Sequence, residues 1–322
     1  MSVIIPVFNV CAYIEEALES VIRQTYKNLE ILLIDDGSTD GSGDVCNQYS
    51  ERDSRIIVFH QENKGLSTAR NVGLDYATGD VIAFLDPDDA YEPKMIEDLL
   101  EKMEHHQAEI VVCDFSLHRT NGKMDNSEQH HSNVIIYDKI ESLRKILDRT
   151  VNTAVWNKLY NKSIWNKLRF PDGHDYEGTY LAFDIFDRAN KVVITNQKLV
   201  KHRIRSGSIC NTYSLKNIQD AFYANDHYIS FVEKNTPRIF TSSELRKVKG
   251  QKARGAAVVY IQSLYKTGLK DYRDEIRQML ANYDIDECGQ FFKLGYHFIM
   301  KTPYIGLAIY ILYRGLCKIK RK

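Results

Sequence analysis

Short runs of Val, Ile and Leu alternate with segments of helical period through about the first 115 residues, and this alternation restricts the fold more than any other feature. The runs are Val3-Ile5, Ile31-Ile34, Ile56-Phe59, Val81-Leu85 and Ile110-Cys113. Between the first two, Ile14, Ala17, Leu18, Val21 and Ile22 recur at the spacing of one helix face; Met95, Ile96, Leu99, Leu100 and Met103 do so between the last two. Strands apolar at every position are buried on both faces, which predicts an α/β fold with a mostly parallel central sheet flanked by helices. In such sheets ligands bind beyond the carboxyl ends of the strands, so the polar loops after the runs are the places where function is expected.

Beyond this part the pattern loosens. A strand at Val134-Tyr137, a helix near Lys139-Leu147, an aromatic-rich stretch from Trp156 to Tyr160 and a helix around Tyr176-Asn190 are expected, followed by Val192-Thr195 and Leu199-Ile204 as a strand pair. After about residue 211 the chain turns helical, with Leu215, Ile218, Ala221, Phe222 and Tyr228 in one amphipathic stretch and Leu245-Tyr265 in another. Two domains follow from this change, residues 1–210 and a helical region over 211–322.

The most apolar part of the chain is Phe291 to Leu316, next to a basic tail of Lys318, Lys320, Arg321 and Lys322. Its densest run, Pro303-Leu316, is 14 residues, short of the roughly 20 that a spanning helix needs. A segment lying in a membrane interface with its basic end on anionic lipid fits this pattern, and packing on the core or on a second subunit of a homo-oligomer is the competing explanation. The first residues lack the basic start and longer apolar stretch of a signal peptide, so the expected location is the cytoplasm, peripheral on the inner face of the cell membrane. Six cysteines without CxxC spacing indicate neither a disulfide framework nor a zinc site. Lys plus Arg and Asp plus Glu are 43 each, and a net charge of zero argues against nucleic acid as a partner.

Acidic residues concentrate in two strand-end loops, Asp35-Asp36-Gly37-Ser38-Thr39-Asp40 and Asp86-Pro87-Asp88-Asp89, each following a strand taken as the other's neighbour in the sheet. Gathered carboxylates repel unless a cation neutralises them, and an all-oxygen cluster suits magnesium or manganese. Between these loops Gly65-Leu-Ser-Thr-Ala-Arg-Asn71 opens a helix, with Arg70 one turn in. A diphosphate bridging a metal at the carboxylates and the planar guanidinium of Arg70 is chemically reasonable. Capping, turn formation and surface pairing are the ordinary roles of the same residues. No glycine-rich phosphate loop follows the first strand, which excludes a dinucleotide-dependent oxidoreductase.

Five segments in order, Val3-Ile-Ile-Pro-Val-Phe-Asn9, Ser20-Val-Ile-Arg-Gln-Thr-Tyr26, Asp35-Asp-Gly-Ser-Thr-Asp40, Asn63-Lys-Gly-Leu-Ser-Thr-Ala-Arg-Asn71 and Phe84-Leu-Asp-Pro-Asp-Asp89, resemble the successive signatures of family 2 glycosyltransferases with the GT-A fold. The resemblance continues through Trp156-Asn-Lys-Leu-Tyr160, Phe170-Pro171, Tyr176-Glu177 and Arg203-Ile-Arg-Ser-Gly-Ser-Ile209. It implies an inverting transferase that takes a hexose from a nucleotide sugar, usually UDP-linked, with Mn2+ or Mg2+ as cofactor. The acceptor implied is a lipid-linked oligosaccharide in capsule or other cell-surface polysaccharide synthesis. Pro6, Phe8, Asn9 and Asp36 would frame the nucleobase, with Asp36 accepting from the uracil N–H. Arg70, Asp86, Asp88 and Asp89 would serve ribose, diphosphate and metal, with Asp88 and then Asp89 as metal ligands. Trp156 would line the sugar or acceptor pocket. Arg203 and Arg205, two apart on a strand, share a face and could approach the diphosphate.

One departure bears on catalysis. Where the family usually places an aspartate after the Tyr-Glu pair as general base, this chain has Gly178. A positioned base contributes about 10²–10⁴-fold, so activity is expected to be weak or the duty moved to Glu177, Asp175 or His174. A catalytically impaired or silent homologue that binds nucleotide sugar or scaffolds a partner is the alternative. Pro87, where serine is common, leaves every carboxylate in place, and His202 stands where tyrosine is common.

Overall fold

The computed structural model describes residues 1–119, 133–205, 214–264, 271–281, 297 and 301–302. The chain divides into two compact units, Met1–Ser208 and Ile209–Lys322.

In the first unit the expected alternation produces β1 (Ser2–Val7), α1 (Ile14–Ile22), β2 (Glu30–Asp35), α2 (Ser42–Arg52), β3 (Ile56–His60), α3 (Leu66–Tyr76), β4 (Val81–Phe84), a short β5 (Ala90–Tyr91), α4 (Met95–His106) and β6 (Ile110–Arg119). Then come β7 (Val134–Asp138), α5 (Lys139–Leu147), β8 (Lys158–Asn161), α6 (Glu177–Asp187) and β9 (Lys191–Ile204). Every residue of β1 is buried, as its place between β2 and β4 requires. The helix stripes read from spacing do face the core: Ile14, Ala17, Leu18 and Val21 of α1 and Met95, Ile96, Leu99 and Met103 of α4 are buried. Helix α3 lies close on β1, because a Cβ at Gly73 would run into the side chain of Ile4. Asp138 and Glu141 close a reciprocal capping box at the start of α5.

Among the described residues the sheet runs β3-β2-β1-β4-β8-β6-β9-β5, with β7 also on β9. Neighbours in β3-β2-β1-β4 are parallel, as are β6 and β9, whereas β8, β5 and β7 run antiparallel to their partners. The short β8 lies between β4 and β6, antiparallel to both. Two features differ from expectation, and both follow from how the strands pair. The two acidic loops do not follow adjacent strands, since β1 stands between β2 and β4. The segments Val192-Thr195 and Leu199-Ile204 are one strand, not two. The polar residues between them, which resemble a turn in sequence, sit where the pairing of β6 with β9 shifts register between Val112 and Phe115.

The second unit holds α7 (Leu215–Lys234), α8 (Ser242–Ser263) and α9 (Arg273–Ala281), whose buried apolar cluster includes Ile218, Ala257, Tyr260, Ile261 and Ile276. Ser214 caps α7 by accepting from the backbone N–H of Asn217. No helix among the described residues is long and apolar enough to cross a membrane. The apolar segment from Phe291 to Leu316 and the basic tail lie outside the described residues, apart from 297 and 301–302.

Candidate active site

The carboxyl ends of β1, β2 and β4 open on one side of the sheet, and the segments expected to act gather there. After β1, Phe8 is 44% exposed and Asn9 takes a left-handed backbone conformation (φ 49°). Asn9 Oδ1 accepts from the Thr39 N–H at 2.8 Å and its own N–H donates to Ser38 Oγ at 3.2 Å, which ties the β1 loop to the β2 loop. Pro6 is buried within β1.

Asp36 is placed differently from expectation. Its Oδ1 accepts from Gln61 Nε2 (2.6 Å) and the Lys64 N–H (2.8 Å), and its Oδ2 accepts from the Gly65 N–H (2.8 Å). With the residue 3% exposed and both oxygens engaged, Asp36 fixes the loop that starts α3 rather than offering an open carboxylate to a base. The neighbouring Asp35 accepts from the Ser38 N–H at 3.0 Å and pairs with His60 Nδ1 at 2.8 Å.

Arg70 is 1% exposed in α3, and its guanidinium joins two carboxylates, Glu177 on Nη1 and Asp86 on Nη2 at 2.5 Å. Burial alone would lower its pKa, but Glu177 and Asp86 outweigh that and hold it above the ordinary arginine value. The Phe170 ring lies 5.7 Å from the guanidinium carbon. Glu177, at the first turn of α6, is therefore the partner of Arg70. Asp175 and His174 precede it in a loop docked on α3, where the His174 carbonyl accepts from Ser67 Oγ at 2.7 Å and Asp172 from Asn71 Nδ2 at 3.0 Å.

Gly178 is buried beside the segment 150–157, and a Cβ there would stand 2.6 Å from the carbonyl oxygen of Thr153. Close backbone approach, not conformational freedom, requires glycine at this position.

The acidic loop after β4 is met from the other side by the end of β9. Asp89 is buried, and its carboxylate pairs with His202 Nδ1 at 2.9 Å and accepts from the Arg203 N–H at 2.8 Å. Arg203 donates from Nε to the Asp88 carbonyl at 3.0 Å and pairs with Glu16, while Arg205 Nε reaches Asp88 Oδ2 at 2.5 Å. Both guanidinium carbons lie over the Tyr13 ring, at 5.3 and 5.4 Å, so the two arginines do share a face. Trp156 stacks on His202 with centroids 4.7 Å apart and planes 11° apart, and meets Phe115 edge-on. Burial lowers the His202 pKa, but Asp89 more than offsets it and the net shift is upward. Burial also pushes the Asp86 carboxyl up to about 6, and Asp89, Asp88 and Glu177 add to that against the pull of Arg70.

Among the described residues no group of three or more His, Cys, Asp or Glu side chains is arranged as a metal cluster. The chemistry of the donor set nevertheless fits one hard cation at Asp88, with Asp86 beside it. Both carry carboxylate oxygens after β4, the donor type that hard divalent cations take. Asp89 does not fit as a ligand, because its carboxylate is buried under His202 and the Arg203 N–H. Tyr13 just before α1 and Glu16 on it carry no sequence signal for their contacts with Arg203 and Arg205. Their place is set by the length of β9, which delivers its end to α1 across the sheet.

Comparison with known proteins gives the class. The model of glycosyl transferase family 2 matches residues 2–180, and the chain belongs to that family, a glycosyltransferase with the GT-A fold. It is 37% identical over 224 residues to the glycosyltransferase GlyA of Streptococcus pneumoniae serotype 4, a match covering 67% of this chain but only 32% of GlyA. GlyG of the same organism is 32% identical over 229 residues, covering 66% of this chain and 73% of GlyG. TarS of S. aureus, residues 1–349 in complex with UDP-GlcNAc, superposes with a TM-score of 0.59 at 16% identity, covering 86% of this chain and 90% of TarS. At that identity the likeness speaks for the fold.

Proposed function

We propose that this chain transfers a hexose, with inversion, from a UDP-linked sugar to a lipid-linked oligosaccharide during cell-surface polysaccharide synthesis. The observation that carries the donor side is the convergence of Phe8, Asn9, Arg70, Asp86 and Asp88 at the carboxyl ends of β1 and β4, on a fold shared with a TarS structure that holds UDP-GlcNAc. In this reading Phe8 and Asn9 face the base, and Asp36 acts indirectly, by fixing the loop of residues 61–65. Arg70, buried and engaged by Glu177 and Asp86, acts by positioning Asp86 and the start of α6 at the floor of the donor site. Arg203 and Arg205 close over the loop from β9. Asp88 and Asp86 hold the cation; bound there, Mn2+ or Mg2+ would supply the positive charge that lets a diphosphate lie beside carboxylates. Calorimetry tests this part: UDP binding falls when a chelator removes the metal, Asp88→Ala abolishes that difference, and equal affinity with and without chelator refutes the assignment.

The acceptor proton needs a base, and Gly178 supplies none. Glu177 is engaged with Arg70, and Asp175 and His174 in the adjoining loop are the neighbouring side chains whose chemistry suits the task. The packing of Gly178 on Thr153 also favours a second reading, a homologue of low or no turnover that retains donor binding. Measured turnover of UDP-hexose with membrane-derived acceptor separates the two. The apolar end of the chain would hold the cleft at the inner membrane surface, where a lipid-linked acceptor presents its sugar.

A further inference from the structure

A cavity of about 230 Å³ opens where β6, β7 and β9 meet the loop that follows α5. Its cause is local: β6 and β9 lose register between Val112 and Phe115, and the mismatch leaves room between Asp114, Thr195 and Asn196 on the strands and Thr150 to Asn152 on the loop that follows α5. Bulged pairs commonly re-aim side chains beside active sites. None of the twelve lining residues is Lys, Arg or His, so the cavity offers an anion no counter-charge. Asparagine, threonine and one aspartate line it instead, over an apolar floor that includes Val112, Val151 and Ile194.

The hydrogen bonds set the polarity of its walls. Lys158, 1% exposed behind the cavity, donates from Nζ to Asn152 Oδ1 at 2.9 Å and to Asn157 Oδ1 at 2.8 Å. Asn152 Oδ1 also accepts from the Ala154 N–H at 3.1 Å, which leaves the Asn152 carboxamide with its N–H₂ as donor. Across the cavity Asp114 gives one oxygen to the Phe115 N–H at 2.8 Å and keeps the other as an acceptor. A carboxylate acceptor together with the Asn152 amide donor is complementary to hydroxyl groups, which donate and accept at once. The volume is below the roughly 300–1,000 Å³ of a drug-sized ligand site, which limits the occupant to one ring.

We infer that this cavity is a subsite for one neutral sugar ring of the acceptor. The inference rests on the proposed transferase reading, and it gains position from Thr153: the loop residue next to Asn152 is the one whose carbonyl packs on Gly178. An acceptor ring held at Asp114 would thus lie alongside the segment that borders the base position.

Saturation-transfer NMR on the full chain tests this, with methyl glucoside, methyl galactoside and methyl glucuronide as probes and UDP as a separate ligand. A neutral glycoside gives signal, the glucuronide gives less, and Asp114→Leu weakens the neutral signal about tenfold, as loss of a charged hydrogen-bond acceptor implies, while UDP binding is unchanged. Asn133→Leu, at the exposed rim, repeats the test if Asp114→Leu does not fold. No neutral signal, a neutral signal untouched by both variants, or glucuronide bound as well as the neutral sugars would overturn the subsite. Failure of UDP to bind while the Asp114-dependent sugar signal persists would instead overturn the donor reading and leave the cavity as a sugar site.

Discussion

Gly178→Ala separates a glycine that is merely tolerated from one that the packing demands. In an ordinary helix the change removes backbone entropy from the unfolded chain and stabilises by about 0.5–1 kcal/mol. Here the new methyl carbon would meet the Thr153 oxygen at 2.6 Å, well inside the roughly 3.5–4.0 Å of a favourable carbon contact. That oxygen has little freedom to retreat, because the next residue is held twice: its N–H donates to Asn152 and its carbonyl accepts from Lys158. Overpacking of this kind costs about 1–3 kcal/mol. Since Gly178 is in the first turn of α6, where the helix-propensity gain is small, a net loss of about 1–2 kcal/mol is expected. For a unit of this size that lowers Tm by about 2–8 °C. Differential scanning calorimetry reads it, with the transition of the N-terminal unit assigned by its shift on adding UDP. A variant as stable as the parent, or more stable, refutes the packing argument. Gly178→Asp carries the same clash and a larger side chain, so a gain in sugar transfer together with a loss of stability would show that the missing base had been limiting.

Three further outcomes are expected. Arg205→Gln removes the cation that now sits on Asp88; a half-buried pair worth about 1 kcal/mol predicts roughly fivefold tighter Mn2+ binding without nucleotide, read by electron paramagnetic resonance, and unchanged affinity would show that the pair does not compete with metal. Lys158→Met leaves Asn152 and Asn157 without their buried donor and costs about 1–3 kcal/mol. Burial pushes the Lys158 pKa down to about 7 from an ordinary value near 10.5, so its contribution to stability is lost as pH falls toward 7 and returns as pH rises. Between pH 7.5 and 9 the parent should therefore gain on Lys158→Met by up to about 1.4 kcal/mol per pH unit in urea unfolding, and a flat difference would show Lys158 charged throughout. Truncation after about residue 285 should release the protein from anionic liposomes in flotation while UDP binding persists; a full chain that never floats contradicts the membrane role.

The parallel half of the sheet was legible because its strands are apolar on both faces and its helices carry a single stripe. Strand β8 was not, since four residues, Lys158–Asn161, take their strand state from neighbours on both sides rather than from their own pattern. The same limit applies at the site. Sequence spacing brought Asp86, Asp88 and Asp89 together but could not tell that Asp89 turns inward to His202 while Asp88 meets Arg205. Nor could it show that Asp36 closes on Lys64 and Gly65, or that Glu177 belongs to Arg70 from 107 positions away. Those pairings depend on the order of strands in the sheet, which periodicity does not encode.

The stack of Trp156 on His202 gives the protein an optical reporter of its own. The chain has two tryptophans, and the other, Trp165, packs among Phe84, Tyr160 and Phe170 in the core. Trp156 is the direct reporter of ligand at the acidic loop, since its indole shares a face with the imidazole that holds Asp89. Occupancy of the cleft becomes visible in the unlabelled molecule, and Trp156→Phe, which leaves Trp165 alone, separates the two contributions.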